Sequence, residues 1–95
     1  MMNCENLYEK IIKGESTNGY ELFELAACFL GGFDAEKLRA MLRSTDLALV
    51  ADGLFVSGEI GSLASSFIED FRILTKSDNE EISRRASNLL SVYER

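Results

Sequence analysis

No proline occurs anywhere in this chain of 95 residues. Proline removes a backbone donor and clashes with the preceding turn, so without it nothing interrupts a helix from within. The breaks fall instead at glycine and at small polar residues, and between them apolar side chains recur at three- and four-residue spacing. Six helical segments follow from that pattern. The first runs from about Asn3 to Lys13, with Leu7, Ile11 and the ring of Tyr8 on one side and Gly14 just past its end. Ser16, Thr17 and Asn18 offer caps for the second, and Asn18 with Glu21 has capping-box spacing. Leu22, Leu25, Ala26 and Phe29 form that helix's apolar side, and Gly31-Gly32 ends it.

Asp34 is the expected cap of the third segment, which carries Leu38, Met41 and Leu42. Ser44-Thr45-Asp46 breaks the chain again and caps the fourth. That segment is apolar on two sides, Leu47, Val50 and Leu54 on one and Leu49, Val56 and Ile60 on the other, as befits a central element pressed from both directions. Gly53, mid-helix, costs about 1 kcal/mol against alanine, which calls for a packing reason. After Gly61-Ser62 the fifth segment carries Leu63, Phe67, Ile68, Phe71 and Leu74. Ser77 and Asp78 open the sixth, with Glu80 and Glu81 at capping-box positions and Ile82, Ala86, Leu89, Leu90 and Tyr93 on its apolar side. No stretch alternates with period two, so no strand is expected. The short loops predict antiparallel neighbours, that is, three helical hairpins in series within one domain over residues 1–95, in units of about 1–32, 33–61 and 62–95.

The segments also echo one another. Phe29-Leu30-Gly31-Gly32-Phe33-Asp34 and Val56-Ser57-Gly58-Glu59-Ile60-Gly61 share a pattern of glycine, variable residue, apolar residue and turn. Asp46 followed by Val50 matches Asp78 followed by Ile82. On these residues, above all Gly58-Glu59-Ile60-Gly61, the chain resembles the HEAT family of helical repeats across about residues 18–92. It departs from the family in having no first-helix proline, and in Ala51 where the family carries an arginine. The resemblance implies an all-α fold of three stacked antiparallel helix pairs, a short right-handed α-solenoid. The second helix of each pair would line a concave partner-binding face. One helix pair cannot hide its apolar side alone, which is the physical reason for stacking.

Charge narrows the function. Asp+Glu number 16 against Lys+Arg 10, for a formal net charge of −6. That balance disfavours nucleic-acid phosphates, which need basic side chains to release counterions, and anionic membranes. It suits a basic protein partner. From Ser44 to Phe71 there are five acids and no base. No histidine is present, which removes the commonest general base and metal ligand. No nucleophile elbow, phosphate-cradling loop or metal-ligand spacing appears. The expectation is a non-enzymatic protein with no catalytic residues, no cofactor and no metal.

Cys4 and Cys28 have no redox or metal spacing; the reading is two free thiols in a reducing cytoplasm, with a disulfide between them the alternative. Met1 to Asn6 lacks the basic and apolar regions of a signal peptide, and no apolar run reaches membrane-spanning length.

Partner-binding candidates are the residues expected on the second helices' free sides. Asp52, Phe55 and Glu59 share one side of the fourth segment with Ala48. Glu21 and Glu24, with Cys28, are offered by the second segment, and Glu81 and Arg84, with Asn88, by the sixth. Phe55 either anchors a partner or packs on a neighbouring helix. The chain is also broadly similar to small bacterial immunity proteins built from HEAT-like units. That likeness implies an inhibitor that neutralises a cognate, basic toxin domain; an adaptor or scaffold subunit of a larger assembly is the alternative.

Overall fold

A computed structural model describes residues 3–15 and 19–93. Among them are six α-helices and no strand: α1 (Cys4–Ile12), α2 (Gly19–Leu30), α3 (Glu36–Leu42), α4 (Leu47–Glu59), α5 (Ile68–Leu74) and α6 (Glu80–Tyr93). A 3₁₀ segment, Gly61–Phe67, joins α4 to α5.

Local chemistry accounts for most boundaries. The Asn3 side chain caps α1, accepting from the Asn6 amide at 2.7 Å. Gly14, at φ 74°, closes the same helix. Its amide donates to the Ile11 carbonyl, and that of Glu15 to Lys10, the paired bonds of a Schellman turn. The same device ends α2, where Gly32 at φ 105° bonds to Phe29 and Phe33 bonds to Cys28. Asp46 caps α4 through the Ala48 amide at 3.0 Å. Asp34 accepts from the Glu36 amide at 3.0 Å and so shapes the start of α3. The expected caps of α2, Ser16 to Asn18, lie outside the described residues.

Two expectations need correction. The fifth segment is not one helix: Gly61–Phe67 winds as 3₁₀ before α5 begins. Its serines compete for backbone groups there, Ser65 Oγ donating to the Ser62 carbonyl at 2.8 Å. The cap of α6 is Asn79, not Asp78, since the Asn79 side chain accepts from the Ile82 amide at 3.1 Å.

One core runs through the molecule, from Leu7, Tyr8 and Ile11 of α1 to Ile82 and Ala86 of α6. Helix α4 lies at its centre and packs on α2, α3, α6 and the 3₁₀ segment. Both its apolar sides are used, with Val50, Leu54, Val56 and Ile60 all buried. Leu47, expected among them, is exposed at the helix start. Gly53 has its packing reason: a β-carbon there would lie 3.2 Å from Met41 Cβ and from Leu42 Cδ2 on α3. At Gly58 it would lie 3.7 Å from Leu89, an ordinary contact. The neighbouring helix pairs α1–α2, α3–α4 and α5–α6 each pack together, and α4 touches both α2 and α6.

Polar groups pin the ends of this arrangement. Asp70, buried on α5, is held by Arg43 Nε at 2.7 Å and Arg39 Nε at 3.1 Å. Arg39 also lies over the Phe67 ring and donates to the Ser66 carbonyl. The Tyr93 hydroxyl donates to the Ser57 carbonyl at 3.0 Å, fastening the end of α6 to α4. Cys4 and Cys28 are joined as a disulfide, their Cα atoms 5.9 Å apart. The expectation of two free thiols is thereby overturned. Spacing along the chain said nothing of the fold, which lays the first turn of α1 beside the last turn of α2.

Candidate functional site: the exposed face of α2, α4 and α6

Helix α2 is apolar on both sides. Leu25, Ala26 and Phe29 enter the core, while Tyr20, Phe23, Ala27 and Leu30 recur at three- and four-residue spacing on the outer side. That outer side stays open: Tyr20 is 71%, Phe23 50% and Leu30 57% exposed. Scattered exposed apolar residues are ordinary, whereas a contiguous run marks a surface awaiting a partner.

The run continues onto the next helices. Phe55 of α4 is half-buried and meets Phe23 edge-on, with ring centroids 5.1 Å apart. Beyond Phe55 a shallow groove of about 270 Å³ lies between α4 and α6, lined by Leu54, Phe55, Gly58, Asn88, Leu89 and Val92, with Arg85 at its side. Val92 is 54% exposed. A second, larger groove of about 750 Å³ flanks α2 toward α1. Leu7, Tyr20, Glu24, Ala27 and Phe33 line it together with both cysteines.

Charge on this surface is sparse, with acids at Asp52, Glu59 and Glu24 and a base at Arg85 beside the smaller groove. Asp52 and Glu59 lie on the same side of α4 as Phe55. Burial pushes the Asp52 carboxyl above its ordinary value of 3.8; nearby Asp46 adds to the rise and Arg85 opposes it. Glu24 is exposed at the edge of the larger groove. No known family, curated protein or solved structure matches the chain.

The other expected site residues are placed differently. Glu21 turns toward α1 and meets Lys10 Nζ at 2.7 Å, so it belongs to the seam between α1 and α2. Glu81 is engaged within α6 by Arg85 at 2.8 Å and by Arg84. Those hydrogen bonds, from Arg85 first and then Arg84, hold its carboxyl below the usual range. Arg84 lines a separate small cleft with Glu80 and Glu81, away from the groove beside Phe55. The acidic stretch from Ser44 to Phe71 does not form one surface: Asp70 is buried, Glu69 pairs with Arg72, and Asp46 serves as a cap.

Tyr20, Phe23, Leu30 and Val92 were missing from the expected site. The signal was in the sequence, because α2 offers apolar residues at helical spacing on two opposite sides. Reading only the side with Leu22, Leu25 and Phe29 hid the other. Among the described residues, no three Cys, Asp or Glu side chains gather as a metal site, and no helix is long and apolar enough to cross a membrane.

Proposed function

We propose that this chain is a non-enzymatic protein-binding module whose working surface is the outer face of α2, α4 and α6. The observation that carries the reading is the continuous apolar run from Tyr20 and Phe23 through Phe55 to Val92. Exposed aromatics of this kind are the usual anchors of protein interfaces, and they lose most from being left in water. The pairwise packing of α1–α2, α3–α4 and α5–α6, with α2, α4 and α6 in consecutive contact, supports a short HEAT-like right-handed solenoid of three antiparallel helix pairs. In that arrangement the proposed surface is the one the second helices share.

The partner in this reading is a basic toxin domain, and the chain is the immunity-type inhibitor that covers it. Glu24, Asp52 and Glu59 fringe the apolar run, and the net charge of −6 favours approach of a cationic partner. Asp52 adds a specific point. Its carboxylate is held in surroundings that disfavour charge, so a cation brought beside it by a partner would relieve that penalty.

Co-expression tests the reading. The chain should restore growth to cells producing the toxic domain encoded beside its gene, and the Phe23→Ala/Phe55→Ala double variant should not. A gene neighbourhood encoding a multi-subunit assembly and no toxic domain would favour the adaptor reading. The expected cytoplasmic location drew on free thiols, and the Cys4–Cys28 bond takes that ground away, since disulfides persist mainly in oxidising compartments.

A further inference from the structure

The larger groove has a chemical feature that partner binding does not use. Its wall includes both cysteines of the Cys4–Cys28 bond, each half-buried, so the bond borders an open cleft on one side while Cys28 packs against the core on the other. The bond joins the first turn of α1 to the last turn of α2. Among the helices, α1 packs chiefly on α2. It is further held by Lys10–Glu21, by Lys37–Glu5 at 3.2 Å, and by the Tyr8 hydroxyl donating to the Lys37 carbonyl at 3.0 Å. Leu7, Tyr8 and Ile11 are buried beneath it. Helix α1 is thus attached at one edge of the shared core, chiefly through α2, and a covalent bond on the wall of an open groove fixes it there.

We propose that Cys4–Cys28 is a site of reversible thiol–disulfide exchange, and that its reduction unlatches α1 as a local unit. The co-reactant is a dithiol. One of its thiolates attacks a sulfur of the bond, forming a mixed disulfide and releasing the other cysteine as a thiolate, which takes up a proton. The second thiol of the reductant, after losing its proton, displaces the remaining cysteine. Two protein thiols and one oxidised reductant result, with two electrons and two protons transferred. Reduced, α1 keeps its buried side chains and ion pairs but loses the covalent tether that limits how far it can open while the rest of the chain stays folded. Because α1 supplies Leu7 and Cys4 to the larger groove, opening changes the shape of that groove. The latch does not depend on the identity of any partner.

Amide hydrogen exchange on the wild-type chain, oxidised or treated with dithiothreitol without denaturant, tests this. Dithiothreitol should reduce the bond in the folded protein. Both helices should speed up as the loop constraint is lost, and α1 further still, so that the ratio of α1 to α4 exchange rates rises by at least ~10-fold. A Cys4→Ser/Cys28→Ser variant should show the reduced pattern without reductant. Resistance of the bond to dithiothreitol in the folded state would overturn the proposal. So would an unchanged ratio, whether neither helix responds or both speed up together, because the bond would then be a passive staple.

Discussion

At the scale of single residues, two acids define the range of what burial does here. Asp70 is buried but receives hydrogen bonds from two guanidinium groups. Removing it leaves Arg39 short of a partner and empties a polar site in the core. Asp70→Ala should therefore cost about 2–3 kcal/mol in chemical denaturation, less than a fully desolvated pair because Arg43 is largely exposed. Asp52 runs the other way. Its folded pKa is raised, so the protonated form is favoured in the folded state and ionisation weakens the fold. That penalty is absent well below 3.8 and complete once pH has passed the raised folded value. Asp52→Asn should thus match the wild type near pH 3 and be the more stable of the two at pH 7; equal stability at both pH values would remove Asp52 from the account. Neither role was legible in the sequence, where both residues belong to one acidic stretch. Two arginines a turn apart, Arg39 on α3 and Arg43 at its end, were the only hint of a buried carboxylate between them.

At the scale of elements, the sequence was informative wherever a local rule decides. Gly14, Gly32, Asn3 and Asp46 end or begin helices through contacts within a few residues, and such contacts can be read from spacing. The 3₁₀ segment and the disulfide could not. The first depends on how serines and Phe67 compete between local bonds and the core, the second on two helix ends brought together by the fold. Gly53 and Gly58 separate propensity from packing. Gly58→Ala should be neutral or stabilise by a few tenths of a kcal/mol, since its nearest neighbour, Leu89, stands at ordinary contact distance and alanine is the better helix former. Gly53→Val should destabilise by about 1–3 kcal/mol, because α3 leaves no room. Matching denaturation midpoints for the two variants would refute the close approach of α3 and α4. Losing the covalent tie between α1 and α2, which spans 24 residues of sequence, should lower global stability by about 3.5 kcal/mol through chain entropy alone. Denaturation of the oxidised chain and of the Cys4→Ser/Cys28→Ser variant compares the two directly.

At the scale of the whole molecule, the helical class and the central place of α4 followed from apolar periodicity. The proposed binding surface followed only in part. Asp52, Phe55 and Glu59 share a side of α4 as their spacing requires, but the surface they sit on is more apolar and less acidic than the composition implies. The reason is that many of the acids are committed elsewhere: Glu21 to Lys10, Glu69 to Arg72, Glu81 to two arginines, Asp70 to the core. Steering by the remaining acids should still slow association as ionic strength rises, by a modest factor set by a few charges. Affinity should rest mainly on Phe23 and Phe55. On the proposed function the partner is a basic toxin domain, and the most direct measurement is its dissociation constant, compared between the wild type and the Phe23→Ala/Phe55→Ala variant at matched folded stability. The account predicts at least a ~10-fold weaker complex for the variant, from more than about 1.4 kcal/mol lost at the anchors; equal affinity in the two proteins would contradict it.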